Sequence, residues 1–329
     1  MLKFIKKSKK DKVQSKSNVF NDANIKTIAY HLAEKEMEKT LSKIQIPAEP
    51  PSNESRLFSK ICQERDFDSQ WMHYWIKACC LPHLYQRKFW EFAYICHALF
   101  ELDLLKPGKS GIGFGCGQEP LPSVFAKFGV SVLASDAPDS LAVSKGWALS
   151  DQHSDSLKKV QKPSVCPDLQ LLNNIKFEGI DMNDIPEKFN GHFDFCWSSC
   201  CLEHLGSIDK GLEFILNSIK TLKKGGIAVH TTEYNLDPDS DTLEYGGTVL
   251  YQKKHFVAFQ KKLMDVGYTL DPIDFSSGDG FLDNYIDIPP YPNDAHLPWE
   301  HRVLKAHLRL ALDRYATTSI GLIIKPLDK

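Results

Sequence analysis

Residues 111–120 read GIGFGCGQEP, with glycine at 111, 113, 115 and 117. Glycines at this density mark a backbone that bends sharply beside something bulky and polar. The dinucleotide fingerprint GxGxxG fits in neither register. Counted from Gly111 its last position is Cys116, and counted from Gly113 it is Gln118. The pattern is GxGxG, from Gly113 to Gly117, which by itself also suits a plain strand-to-helix turn.

Around this turn, short β-like runs alternate with helical patterns. They are GIGFG, VSVLASD, IKFEGID, HFDFCWSS and GGIAVHTTE, and amphipathic segments such as IDKGLEFILNSIKTLKK separate most of them. That alternation predicts a parallel sheet with helices on both faces. About twenty residues after the turn, the second run ends in Asp136, where a carboxylate can accept from two ribose hydroxyls. The third run ends in Asp181 and Met182. A carboxylate there can accept from an adenine amino group, and the Met side chain can pack on its ring. HFVAFQKKLMDVGY then reads as a helix, followed by YTLDPIDF and TSIGLIIKP as two more strand-like runs.

The ordered set GIGFGCG, Asp136, DMNDIP, FDFCWSSCCLEHL and LKKGGIAV resembles class I S-adenosylmethionine-dependent methyltransferases. The likeness covers roughly residues 106–270 and the last strand. It implies an α/β, doubly wound, Rossmann-like seven-stranded sheet whose last strand is antiparallel, and S-adenosyl-L-methionine as cofactor. It implies cofactor contacts from Gly113, Gly115, Gly117, Asp136, Asp181, Met182 and Ser198, with Ser199 beside them. One position departs from the pattern. The acid that family members carry two residues before GxGxG is Gly111 here, and Glu119 just after the turn is the candidate substitute. The WSSCxLEHLG and AVHTTE stretches are similar to a bacterial group that sits with sugar and surface-polysaccharide biosynthesis. That suggests a glycan or other small-molecule acceptor, methylated on oxygen or nitrogen.

An acceptor hydroxyl needs its proton removed. The acceptor is expected above the carboxyl ends of the fourth and fifth strands, which brings Glu203, His204, His230 and Glu233 into view. His230 is the leading base, with Glu233 as its orienting partner or alternative, and His204 ranks third. Two long segments, 150–173 and 278–315, interrupt the alternation as insertions. They offer His153, and then Asp279, Asp283, Tyr285 and Asp287, whose acids and aromatics suit a sugar ring. Two other readings stand beside methyl transfer. One is a catalytically inactive cofactor-binding scaffold, prompted by Gly111. The other is an NAD(P)-dependent oxidoreductase, disfavoured by the failed fingerprint.

Composition limits the partners. The chain has 329 residues and a net charge of −2, but residues 1–16 hold seven lysines and one aspartate. The remainder is therefore acidic, a poor match for nucleic acid. Asp287-Ile288-Pro289-Pro290-Tyr291 resembles the D/N-P-P-Y/F motif of amino-group DNA methylases, but it carries an extra Ile and lies after the sixth strand rather than the fourth. Nine cysteines without a CxxC argue against a disulfide framework and a metal site, and fit a reduced cytoplasmic protein. No apolar run is long enough to span a membrane. The expected organisation is a disordered basic tail over 1–20, a helical extension over 21–105 whose aromatic stripe packs into a core, and the main domain over 106–329. The N-terminal helices have two readings, a cap over the site and a homodimer face.

Overall fold

The computed structural model describes residues 9–51, 56–144, 153–289, 291 and 306–327. In chain order, the extension holds α1 (Lys9–Lys43), β1 (Ser59–Ile61), α2 (Gln70–Ala78), β2 (Tyr85–Gln86) and α3 (Arg87–Glu101). Then come β3 (Ser110–Phe114), α4 (Leu121–Lys127), β4 (Ser131–Asp136), α5 (Asp139–Ser144), α6 (Leu157–Val160), α7 (Leu169–Leu172) and β5 (Ile175–Gly179). The fourth and fifth core strands are β6 (Phe193–Ser199) and β7 (Leu222–Asn235), with α8 (Ile208–Lys220) between them. The chain continues through α9 (Lys253–Asp265), β8 (Tyr268–Leu270), β9 (Ile273–Asp274), α10 (Phe281–Asn284), β10 (Ile286–Asp287), β11 (Ala306–His307), β12 (Arg309–Leu312) and β13 (Tyr315–Pro326).

Seven strands run β5-β4-β3-β6-β7-β13-β8, parallel from β5 to β7, with β13 antiparallel to both its neighbours. This is the doubly wound α/β layout the sequence predicts. The main sheet is larger, with eleven strands among the described residues. The difference lies at β13, whose outer edge is too long for β8 alone. It pairs in turn with β12 at Leu310–Leu312, β1 at Lys60–Ile61 and β8 at Tyr268–Leu270. An edge of this length left open would be a template for unwanted pairing, and local segments cover it.

The extension is therefore not helical throughout. It gives β1 to the sheet, and its helices join the core. Trp71, Trp75, Trp90 and Tyr94 from α2 and α3 cluster with Trp197 of β6, Val229 of β7 and Ile323 of β13. On the opposite face, α8 and α9 bury Phe214, Ile215, Phe256 and Phe259 against Ile112, Cys196 and Leu322. Ser207 caps α8 by accepting from the Lys210 N–H at 3.2 Å. The basic tail departs from expectation as well. Residues 1–8 lie outside the described residues, but from Lys9 the chain is helical rather than disordered. Lysine is a good helix former, so a lysine-rich run extends α1 instead of ending it.

Candidate active site

The glycine turn leaves β3 at the carboxyl edge of the sheet. Gly115 (φ +60°) and Gly117 (φ +51°) adopt left-handed backbone, where a side chain costs strain. Gly113 is needed for a different reason: a Cβ there would enter the Trp197 ring and the Cys116 thiol. A Cβ at Gly115 would lie 2.9 Å from the Cys201 side chain and 3.4 Å from the Met182 sulfur. Met182 thus lines the turn, as its place after β5 implies. The Cys116 N–H donates to the Ser135 carbonyl at 2.8 Å and the Ser135 hydroxyl to the Gly113 carbonyl at 2.7 Å, tying the turn to β4.

The missing acid at Gly111 has a packing cause. A Cβ there would run into the Phe195 ring. Phe195 sits edge-on to Phe125 at 5.6 Å, within the core. Glu119 is the buried acid on this side of the turn. Its Oε1 accepts from the Trp197 indole N–H at 2.9 Å. Burial pushes its carboxyl up to about 8, against the Trp197 bond that lowers it.

Asp136 ends β4 and is buried. It accepts from the Ala137 N–H at 2.7 Å and the Ser154 N–H at 2.8 Å, and His153 Nδ1 lies 3.3 Å from Oδ2. His153, expected near the acceptor, belongs to this carboxylate instead. Burial raises Asp136, and these donors oppose the shift. The Gly117 backbone N–H also lowers it, so the turn itself contributes to holding this carboxylate. The Asp181 carboxylate, beyond β5, accepts from the Asn183 N–H at 2.9 Å, and its carbonyl accepts from the Asp184 N–H at 2.9 Å.

His230 and Ser198 are corrections. His230 is fully buried on the α8 face of β7, with the Phe214 ring at 5.5 Å. The Ser218 hydroxyl donates to the Ile215 carbonyl at 2.8 Å and accepts from His230 Nε2 at 3.3 Å. Nδ1 therefore accepts the Ser198 hydroxyl proton, at 2.8 Å. Both ring nitrogens are satisfied, and burial lowers the imidazole to about 3. A neutral, enclosed ring without a free lone pair is no acceptor base, and the Ser198 hydroxyl is not free for a cofactor. His204 is partly exposed, its Nδ1 within 2.9 Å of the Gly247 carbonyl and 3.2 Å of the Thr248 hydroxyl.

On the other face of the same strand ends lies a cluster that sequence reasoning missed. Glu91 of α3 is fully buried. It receives Arg87 Nη1 at 3.1 Å, Lys88 Nζ at 3.0 Å, and the hydroxyls of Ser199 at 3.0 Å and Ser319 at 2.5 Å. The Cys200 thiol donates to it at 3.0 Å. Burial alone would raise this carboxyl, but Lys88 and Arg87 hold it at about 2. The Arg87 guanidinium also pairs with Glu233 of β7, whose carboxyl burial pushes up. Glu233 thus faces Arg87, not His230. Glu203 is fully buried and accepts from the Thr232 hydroxyl at 3.0 Å. Lys88 and Glu91 both act electrostatically on Glu119, so this cluster and the glycine turn border one another.

The second insertion packs beside Arg87. Asp287 is fully buried between His307 Nδ1 at 2.9 Å and Lys26 of α1 at 3.0 Å. Tyr291 stands edge-on to His307 at 5.4 Å, and the charges of Arg87 and Glu233 reach His307. Asp283 is committed elsewhere, to a buried ion pair with Arg309 at 3.0 Å, and Asp279 is exposed. Tyr285 stacks on Phe281 with a buried hydroxyl.

No family model matches the chain, and no curated protein matches it. Solved structures with a similar layout include magnesium protoporphyrin IX methyltransferase from Synechocystis PCC 6803 with bound S-adenosylhomocysteine. It is 14% identical over 71% of this chain and 80% of that one, with a TM-score of 0.40. Another is 1,6-didemethyltoxoflavin-N1-methyltransferase from Burkholderia thailandensis, 11% identical over 70% of this chain and 76% of that one, TM-score 0.38. A third is a SAM-dependent methyltransferase from Aquifex aeolicus, 12% identical over 70% and 88%, TM-score 0.35. Similarity at this level is one of general layout. The site must be read from the chain's own residues.

Those residues form a run of carboxylates along the sheet edge: Asp181, Asp136, Glu119, then Glu203 and Glu233. No helix among the described residues is long and apolar enough to cross a membrane.

Proposed function

We propose that the chain transfers a methyl group from S-adenosylmethionine to a small-molecule acceptor. The observation that carries this reading is the run of carboxylates around the glycine turn. In this reading Asp136 and Asp181 meet a nucleoside's hydroxyl and amino donors. Glu119, Glu203 and Glu233 then face the ligand's other end. That arrangement suits a ligand that is hydroxylated at one end and cationic at the other. A dinucleotide would instead set its diphosphate on a GxGxxG turn, and neither register of that fingerprint fits here.

In this reading Gly113, Gly115 and Gly117 let the ligand approach the backbone and Asp136 takes the ribose hydroxyls. Asp181 and Met182 take the adenine, and Glu119 takes the ammonium group that an acid at position 111 serves in the resembling family. The acceptor lone pair attacks the methyl carbon in line with the carbon–sulfur bond. That bond's electron pair stays on sulfur, leaving S-adenosylhomocysteine, and the acceptor's proton departs. Alignment of this kind contributes about 7–11 kcal/mol in favourable cases. Glu233 and Glu203 face the acceptor. The finer reading is a polyhydroxylated acceptor such as a glycan, supported by Asp287, His307, Tyr285 and Tyr291 beside Arg87. The inactive-scaffold reading loses its main support, because Phe195 explains Gly111 and Glu119 supplies a carboxylate.

Calorimetric titration with S-adenosylhomocysteine tests this, with NADH in parallel. We expect binding of the first and none of the second. Asp136→Ala should weaken binding about 100-fold, because two hydrogen bonds to a charged group are lost. Absence of S-adenosylhomocysteine binding, or equal binding by the variant, rejects the reading.

A further inference from the structure

The Cys200 thiol and one carboxylate oxygen each of Glu203 and Glu233 lie within 4.8 Å of one another. Two of these groups are incomplete. Oε1 of Glu203 and Oε2 of Glu233 are buried without a hydrogen-bond partner. A buried carboxylate oxygen left in this state costs about 1–3 kcal/mol or more. Both oxygens sit beside the same thiol, so one ligand could satisfy them together. The local charge is also unbalanced. Glu91, Glu203 and Glu233 contribute three negative charges, and Arg87 and Lys88 contribute two positive ones.

We propose that Cys200, Glu203 and Glu233 hold a divalent transition-metal ion of the zinc class. One sulfur and two oxygen donors suit a borderline-soft ion and not magnesium or calcium, which take oxygen alone. Binding displaces the thiol proton to solvent. With Cys200 as thiolate, the ion brings the cluster's formal charge to zero. Arg87 lies 3.5 Å from the Cys200 sulfur and is shared between Glu91 at 3.1 Å and Glu233. Three protein ligands leave a fourth position open, as in catalytic rather than structural zinc sites. Cys200 is partly exposed, and the next residue, Cys201, lines the glycine turn. The open position therefore borders the proposed methyl donor. An acceptor hydroxyl or thiol bound there would lose its proton readily, supplying the activation that His230 cannot. This last step rests on the methyl-transfer reading, but the metal site does not.

The test uses the full chain, stripped with a chelator and titrated with Zn2+ and, separately, Co2+. We expect one ion per chain and a thiolate-to-cobalt charge-transfer absorption. Cys200→Ser should abolish that absorption, and Glu203→Gln should weaken binding roughly 100-fold. Melting curves taken with each titration separate lost binding from lost folding. The wild-type cobalt spectrum decides the matter even where a variant does not fold. A spectrum without the thiolate band, or one that Cys200→Ser leaves unchanged because another cysteine supplies it, overturns the proposal. Asp136→Ala should keep the metal while losing S-adenosylhomocysteine. Metal without nucleoside binding would sink the methyl-transfer reading alone, and nucleoside binding without metal would sink this one.

Discussion

The two faces of β7 carry polar residues a few positions apart, and they meet opposite fates. His230 points toward α8 into a pocket of Ser198, Ser218 and Phe214, where it is neutral and saturated. Thr231 and Glu233 point toward α3, into a charged cluster with unsatisfied oxygens. Successive strand side chains alternate in direction. A polar residue at a strand end is therefore a candidate for chemistry only after its face is known. The sealed face uses its polar groups to complete each other. The open face leaves some incomplete, and that is where a ligand can contribute.

The largest effect expected from this contrast is at Glu91. Glu91→Ala removes a fully buried carboxylate and leaves the half-buried Arg87 and Lys88 without their shared partner, Arg87 keeping only Glu233, at a cost of about 3 kcal/mol or more. Urea unfolding checks it, and a loss below that of any His230 variant would undo the contrast. Acid should reveal the same group. A carboxylate held at about 2, below its ordinary 4.5, stabilises the fold above 4.5. That contribution is lost as pH falls through this window.

Second in size is Gly111→Asp, which restores the acid of the resembling family. It should lower stability by about 1–3 kcal/mol, because the new side chain must displace the Phe195 ring. It should not tighten S-adenosylhomocysteine binding. Tighter binding would mean that position 111 faces the ligand after all, and that Glu119 does not replace it. Adding Phe195→Ala to Gly111→Asp should relieve the clash while opening a cavity nearby.

These two sites also show what the sequence could disclose. The alternation of strands and helices, the glycine turn, and the places of Asp136 and Met182 after their strands were legible because each is marked by residues next to it in the chain. The pairing of His230 with Glu233 could have been rejected on period alone. Residues three apart on a strand face opposite ways. The cluster on α3 was not legible. Arg87 and Glu91, four apart at the start of an aromatic helix, look like a solvated i,i+4 pair. Only the fold brings Glu91 to Ser199, 108 positions away. The extra strands on β13 were hidden for the same reason, since β1 reaches Gly321 from residue 60.

Third is His230→Leu. Ser198 and Ser218 lose their shared partner, so stability should fall by about 1–3 kcal/mol. S-adenosylhomocysteine affinity should stay within about twofold, because the ring touches neither the turn nor Asp136. The pH signature differs from that of Glu91. A histidine lowered from 6.5 to about 3 destabilises the fold as pH falls through that window, because the unfolded chain takes the proton first. The variant should lose this early acid sensitivity and keep the later one. A selective loss of affinity would return His230 to the site.

The smallest effect expected is at Glu119, and it bears most directly on ligand chemistry. Glu119→Gln keeps an oxygen for the Trp197 N–H at 2.9 Å and removes a buried carboxyl, so the fold should hold. If Glu119 receives the ammonium of the cofactor, losing its charge should weaken S-adenosylhomocysteine binding by about tenfold. The pH dependence sharpens the point. Burial lifts this carboxyl from 4.5 to about 8, so it is mostly protonated at neutral pH without ligand. An acid raised in the folded state costs stability as pH climbs through that window. Binding a cation favours the ionised form, so wild-type affinity should rise between about pH 6 and about pH 7.5 while the variant's stays level. Equal slopes for the two proteins would take Glu119 out of the cofactor's reach. The buried acid beside the glycine turn would then be part of the Trp197 packing alone, and would belong with the sealed face rather than the open one.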